Sequence, residues 1–395
     1  MRNWLSLYLC LLLVFIFIPM KLSDYNYLIG HESRAPSSFN EASTCYGLLK
    51  SFYSKERNLL LDSRLKYTED DSHLFFRSFP PLYFKFMENQ SWKTLFPAVA
   101  KIESVMAGDV HMENFGLKYF KGILRLSVND YDDLTTGPLF LDIVRLLTSA
   151  KLAGVEIDKS YIQEFMATFI KGLEGKKHSY SDVVNELIEE SEKISMLDAK
   201  AIDKVTKTFS KKKEPNVALK SEELKVWKNL INDFGEIKDS YSFTKQFGGS
   251  GGLKRFEFVV EKDNKVYWIE AKEWADPSYN IAQKSNPPTD KKRYGWIMEY
   301  DSPIIAPTIT KFDGQTYYVR NIDARQTGIE VAKLKKSEKE DVLIDEAYAL
   351  GQFHRTYLAD PSEFIKALDT IRSGDLLDYI QAMAKDVKQN QNSLK

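Results

Sequence analysis

Residues 107–145 read AGDVHMENFGLKYFKGILRLSVNDYDDLTTGPLFLDIVR, and the rest of the chain reads as support for them. Apolar Leu124, Leu126 and Val128 alternate with polar neighbours up to Asn129 and Asp130. That period of two predicts a short strand delivering Asp130 at its exposed end. The Gly-Asp-Val-His-Met-Glu-Asn run before it is then a loop of polar side chains. An Asp followed five residues later by Asn, then a strand ending in Asp, supplies what phosphoryl transfer needs. One carboxylate orients the attacking hydroxyl, while the amide and the second carboxylate hold Mg²⁺ against nucleotide phosphates. Asp109, Asn114 and Asp130 take those roles in order, with Asp132 and Asp133 next to the last of them. Taken singly, each is also an ordinary turn residue. The ensemble carries the argument.

The motifs GD-x-H-x-x-N-F-G, ND-x-D-D and GP-x-x-x-D-x-x-R together resemble a bacterial family known as domain of unknown function 2252. That family is similar to the aminoglycoside-phosphotransferase branch of the protein-kinase-like superfamily, whose catalytic loop and metal-binding Asp have the same internal spacing. The resemblance implies a two-lobed α+β protein-kinase-like fold using ATP and Mg²⁺. It also implies that Asp142 braces the catalytic loop from below, although Asp142 is equally placed to cap a helix over 141–152. Arg145, one turn on, can pair with Asp142 or with Asp133. The resemblance extends upstream through Lys66-Tyr67 and Leu74-Phe75-Phe76-Arg77. Arg77 either points from the core towards the phosphate site or is a surface arginine with a buried stem.

At 395 residues and 43% apolar content the chain can bury a large core, and its 13% aromatic content argues against disorder. The formal net charge of −1 gives no electrostatic ground for nucleic-acid binding, and none is expected. Two cysteines, Cys10 and Cys45, cannot make a disulfide framework.

Residues 4–20 are almost continuously apolar, with Arg2 before them and Lys21 after. We read 1–22 as a signal anchor or signal peptide forming an apolar helix, and 23–43 as a linker containing Pro36. The protein is thus expected to be membrane-associated through that single segment, or exported; one basic residue on each flank leaves its side open. A start at Met20 would remove the segment. Asn89-Gln90-Ser91 matches a glycosylation acceptor and carries little weight. Residues 44–240 form a helical lobe holding the catalytic and metal-binding loops, with helical spacing over 44–61 and an aromatic-rich stretch over 73–96. Residues 156–240 read as helical with polar faces, and Lys211-Lys212-Lys213 as a solvated loop.

Chemistry returns at residues 247–252, FGGSGG, followed by alternating Phe256, Phe258 and Val260, a turn at Asn264, then Val266, Trp268 and Glu270-Ala271-Lys272. A glycine loop between strands lets backbone amides approach phosphate oxygens, and a lysine on the following strand can reach the same phosphates. Lys272 is that lysine. The family's loop resembles G-x-G-S-x-G; Gly249, Ser250 and Gly252 match, and Phe247 replaces the first glycine.

Residues 241–322 are a β-rich nucleotide-binding lobe completed by a hairpin around Asp313-Gly314. Residues 335–341 read as a charged linker and 344–358 as an amphipathic helix. Its G-x-x-H ending resembles the helix that leads into the catalytic loop of phosphotransferases. Residues 323–395 are then C-terminal helices returning to the helical lobe. Since the catalytic loop precedes the glycine loop, the chain order is circularly permuted relative to an ordinary kinase.

The expected function is an ATP- and Mg-dependent phosphotransferase acting on an unidentified small-molecule or protein acceptor. A nucleotide-binding pseudokinase or a nucleotidyltransferase with a regulatory role uses the same parts. A metal-dependent phosphohydrolase would need more ligands than His31, His73, His111, His178 and His354 supply from unrelated contexts. His111 is accordingly read as bracing its loop.

Overall fold

The computed structural model describes residues 45–88, 91–120, 122–193, 217–301, 305–323 and 325–394. The apolar leader, the linker to residue 43, Asn89-Gln90 and Lys211-Lys212-Lys213 lie outside those residues. Among the described residues no helix is long and apolar enough to cross a membrane.

The chain opens with short helices: α1 (Cys45–Phe52), α2 (Lys55–Asn58), α3 (Leu61–Tyr67), α4 (Ser72–Ser78), α5 (Pro80–Met87) and α6 (Ser91–Leu95). Local signals cut the apolar pattern into pieces. Ser54 caps α2, Asp71 accepts from the Leu74 amide at 2.9 Å, and Pro80 opens α5, where it cannot extend α4. Strand β1 (Glu103–Met106) pairs antiparallel with β4 (Thr135–Pro138). The β2 (Phe115–Phe120) and β3 (Ile123–Val128) hairpin lies between them in sequence, so the loops before β2 and after β3 emerge side by side. Helix α7 (Phe140–Leu152) is buried on every side over its first eleven residues and forms the centre of the helical part. Helices α8 (Lys159–Glu174), capped by Asp158, and α9 (Asp182–Glu192), capped by Ser181, follow it.

The second part is an antiparallel sheet ordered β5-β6-β7-β8-β10-β9. It comprises β5 (Val217–Ala218), α10 (Ser221–Leu230), β6 (Glu236–Thr244), β7 (Lys254–Lys262), β8 (Lys265–Glu273), α11 (Ser278–Gln283), α12 (Asp290–Tyr300), β9 (Thr308–Phe312) and β10 (Gln315–Ile322). The sheet therefore begins upstream of residue 241. Alternation along the strands divides its faces. Phe256, Phe258, Ile269, Ala271, Tyr317 and Val319 turn outward onto Trp227 of α10 and make a separate core. Arg255, Glu270, Lys272 and Arg320 take the other face.

Helices α13 (Lys336–Tyr357), α14 (Ser362–Leu368) and α15 (Ser373–Asn392) return to the helical part. Residues 335–341 are not a linker: α13 starts at Lys336, and Glu338 accepts the Lys335 amide at 2.8 Å. The fold is α+β, with helices and sheet largely segregated. The two parts are tied by Leu117 N donating to Thr327 O at 2.9 Å and by Lys118 Nζ to Asp301 at 3.2 Å.

Candidate functional site

The loop between β1 and β2 is fixed from below. Asp142 Oδ2 accepts the Ala107 amide at 2.8 Å, its Oδ1 accepts the Gly108 amide at 3.1 Å, and His354 Nε2 lies 2.9 Å from Oδ2. Asp142 and His354 are fully buried. Asp142 therefore does not cap its own helix; α7 has no side-chain cap, and the carboxylate is spent on the loop. Gly108 has φ +79°, and a Cβ there would lie 2.5 Å from the Asp133 carbonyl, so this turn needs glycine.

Asn114, which lines the cavity, donates from Nδ2 to the Asp109 carbonyl at 2.7 Å, and its Oδ1 remains as an acceptor. The Asp109 carboxylate is gripped on Oδ1 by Arg145, while His111 Nε2 is 3.9 Å from Oδ2, beyond hydrogen-bond range. Contrary to the sequence expectation, Arg145 pairs with neither Asp142 nor Asp133; it stacks under Phe76 at 4.4 Å and Tyr83 at 5.0 Å and reaches Asp109. Burial raises the Asp109 pKa, and Asp130 adds to this, against the opposing pull of Arg145 and Arg77. His111 is held well below its ordinary value by burial and by Arg77 and Arg145, so it is neutral. Arg77 reaches the cavity wall but is paired with Glu113.

Strand β3 delivers Asp130 as its alternation predicts. Lys272 Nζ donates to Asp130 Oδ2 at 2.8 Å and also pairs with Asp132. Burial pushes the Asp130 carboxyl up, but Lys272, Arg320 and Arg255 outweigh it and hold it far below the usual range. Asp132 is pushed up to about 6 by burial and by Asp130. Asp133 reaches about 6 through burial and Asp109, even though it accepts the Ser278 amide.

The glycine loop between β6 and β7 forms the roof. Lys245 N donates to Leu253 O at 3.0 Å and Gly252 N to Lys245 O at 2.7 Å, closing its root. Two arginines from the opening helices hold its carbonyls. Arg57 donates to Gly251 O at 2.9 Å and Gly249 O at 2.7 Å, and Arg64 donates to Gly248 O at 3.1 Å. Phe247, in place of the first glycine, stacks on Tyr67 with ring centroids 4.1 Å apart. The loop tip is low: a Cβ on Gly249 would lie 3.3 Å from Asp109 Oδ2.

Asp109, His111, Asn114, Asp130, Asp132, Arg77, Gly249 and Ser250 thus surround one cavity of about 210 Å³. Lys272 supports two of its acids from behind, Asp142 and Arg145 lie beneath it, and Gly252 stands at the root of the roof, outside the lining. Sequence reasoning missed Arg57, Arg64, Lys245, Arg255, Glu270 and Arg320. Arg57 and its Gly251 partner are 194 residues apart, so no local pattern announces the pair. Among the described residues no group of three or more His, Cys, Asp or Glu is arranged to hold a metal ion.

Residues 58–246 match the model of a family described as uncharacterized protein conserved in bacteria (DUF2252), which bears out the family resemblance read from the motifs. The match spans the motifs around Asp109, Asp130 and Asp142 and stops just before Phe247. No curated protein and no solved structure matches the chain.

Proposed function

We propose that the protein transfers a phosphoryl group from ATP to a hydroxyl acceptor, with Mg²⁺, on a kinase-like fold whose chain order is permuted. The observation that carries this reading is the convergence of Asp109, Asn114 and Asp130 on one cavity under a glycine loop, with Lys272 bonded to Asp130. The lysine stands on the strand after the glycine-loop hairpin, where protein kinases place theirs.

Asp109 has one carboxylate oxygen held by Arg145 and the other turned to the cavity. The free oxygen orients the acceptor hydroxyl and takes its proton as the oxygen attacks phosphorus, and the raised pKa favours that acceptance. Asp130 and the Asn114 carbonyl are hard oxygen donors, one of them anionic. They fit Mg²⁺, which completes its shell with phosphate oxygens and water and so needs few protein ligands. When bound, Mg²⁺ neutralises charge on the transferring phosphate. Lys272 holds Asp130 in its ionised state. The loop amides near Gly249 and Ser250 face phosphate oxygens, while Arg57 and Arg64 occupy the carbonyls.

The test is incubation with γ-labelled and, separately, α-labelled ATP against fractionated extract. Transfer of the γ label, reduced about 10²- to 10⁴-fold by Asp109→Asn, is the expected result. Transfer of the α label instead would show nucleotidyl transfer. Absence of Mg-ATP binding by calorimetry would overturn both chemistries.

A further inference from the structure

We propose that the donor is recognised through its triphosphate chain and metal rather than its base, so that nucleoside triphosphates bind irrespective of base and bare tripolyphosphate binds alongside them. This rests on the phosphotransferase reading and adds to it the specificity of the donor site.

The centre of the sheet face over the cavity is taken up by ion pairs, with the rings of Phe243, Trp268 and Tyr318 around them on the same face. Register sets Arg255 opposite Lys272, and Glu270 opposite both Glu257 and Arg320, so charges fill three neighbouring strands at one level. Glu270 accepts from Arg255 and, at 3.1 Å, from Arg320 Nε; its side chain is only 6% exposed. Further along the same face Glu257 accepts from Trp268 Nε1 at 3.0 Å and from Tyr241. Ile269, Ala271 and Val319 lie on the opposite face, packed under Trp227, while Phe243, Val259, Trp268 and Tyr318 share the face of the ion pairs but do not line the cavity. A flat base bound here would press on desolvated ion pairs whose partners cannot be given up cheaply.

What the roof does offer is positive charge. Lys245 and Arg320 line the cavity, and among the described residues the Lys245 ammonium makes no ion pair or hydrogen bond. Burial and the neighbouring Arg255 and Lys272 lower its pKa to about 8, against the opposing pull of Asp130 and Glu270. The volume of about 210 Å³ is below the roughly 300–1,000 Å³ of sites that enclose whole small-molecule ligands. Floor carboxylates including Asp109, Asp130, Asp132 and Asp133 repel a bare polyanion, so the phosphate chain enters with its metal.

Calorimetry on the full chain tests this with Mg-ATP, Mg-GTP, Mg-tripolyphosphate and adenosine. We expect the first three to agree within about tenfold, adenosine to give no heat, and omission of Mg²⁺ to abolish binding. Lys245→Met should weaken ATP and tripolyphosphate alike by roughly tenfold to a hundredfold, with Lys245→Arg restoring both and melting unchanged. Binding of ATP with no binding of tripolyphosphate, measurable adenosine binding, or a Lys245→Met effect confined to ATP would overturn base indifference while leaving phosphoryl transfer standing. Failure of ATP, GTP and tripolyphosphate together would overturn both.

Discussion

Asp142 accepts two backbone amides and meets His354, all fully buried, so its two oxygens are committed to holding the loop that carries Asp109. Asp142→Asn keeps the volume but turns one acceptor into a donor facing another donor. It should cost about 1–3 kcal/mol by urea denaturation and lower turnover more than ATP affinity. Glu270 makes a separate, pH-dependent contribution. Burial raises its pKa, but Arg255, Arg320 and Lys272 outweigh that and bring it from 4.5 to about 2. A depressed carboxylate contributes stability that is present above about pH 4.5 and lost as pH falls through about 2. Its full contribution is therefore roughly 3 kcal/mol. The stability gap between wild type and Glu270→Gln should close across that acid window; a gap independent of pH would mean the ion pairs set no protonation equilibrium. At this scale the sequence was informative where partners lie on one short stretch, as Asp109, Asn114 and Asp130 do. It misled at Arg145, because spacing cannot reveal that Asp142 is already occupied by backbone amides and His354.

The roof and the helix beneath the site show how whole elements set geometry. Helices α2 and α3 hold the glycine loop through Arg57 and Arg64, and Phe247 stacks on Tyr67 where the sequence motif wanted a glycine. Arg57→Ala removes both of that residue's charge-assisted bonds to loop carbonyls and should raise the KM for ATP about tenfold, with kcat changed far less. Equal losses in both constants would place Arg57 in the chemical step. Helix α13 crosses α8 through glycine: a Cβ on Gly351 would stand 2.2 Å from the Phe169 carbonyl. Gly351→Ala must spread the two helices, at a cost of about 1–3 kcal/mol, and because α13 carries His354 it should also lower turnover. Melting temperature and kcat measured together check this; a stability loss with unchanged turnover would separate the crossing from the site. The period of three to four residues made the core of α13 readable. Its start was not, because Lys and Glu in residues 335–341 look like solvated coil until Glu338 is seen bonded to the Lys335 amide. Over 44–96 the same periodicity was read too coarsely, since caps and Pro80 break one apolar pattern into several helices.

At the scale of the molecule, the proposed permutation makes a demand on where the ends of the described chain lie. Gln391 near the end of α15 donates to the Thr68 carbonyl at 2.6 Å and accepts from Ser72 at 2.5 Å, and Tyr46 and Leu394 line one small cavity. The ends are therefore neighbours, as a chain cut open at that point would have them. The contacts joining the sheet to the helical part run through Leu117 with Thr327, Lys118 with Asp301, and Ser127 with Tyr300 at 2.6 Å. None depends on continuous chain between Lys193 and Val217. A chain starting at Val217, running to Leu394, joined by a short Gly/Ser linker to Cys45 and ending at Asn216 restores the order glycine loop, strand lysine, catalytic loop. It should melt cooperatively within about 8 °C of the unpermuted residues 45–394, a shift of about 1–2 kcal/mol, since only linker entropy and two new ends differ. It should also keep the thermal shift with Mg-ATP. Cooperative melting without that shift would show that the lobes fold but the cleft needs the natural connection. Loss of cooperative melting, with the unpermuted control intact, would show that the present chain order is itself a condition of the fold.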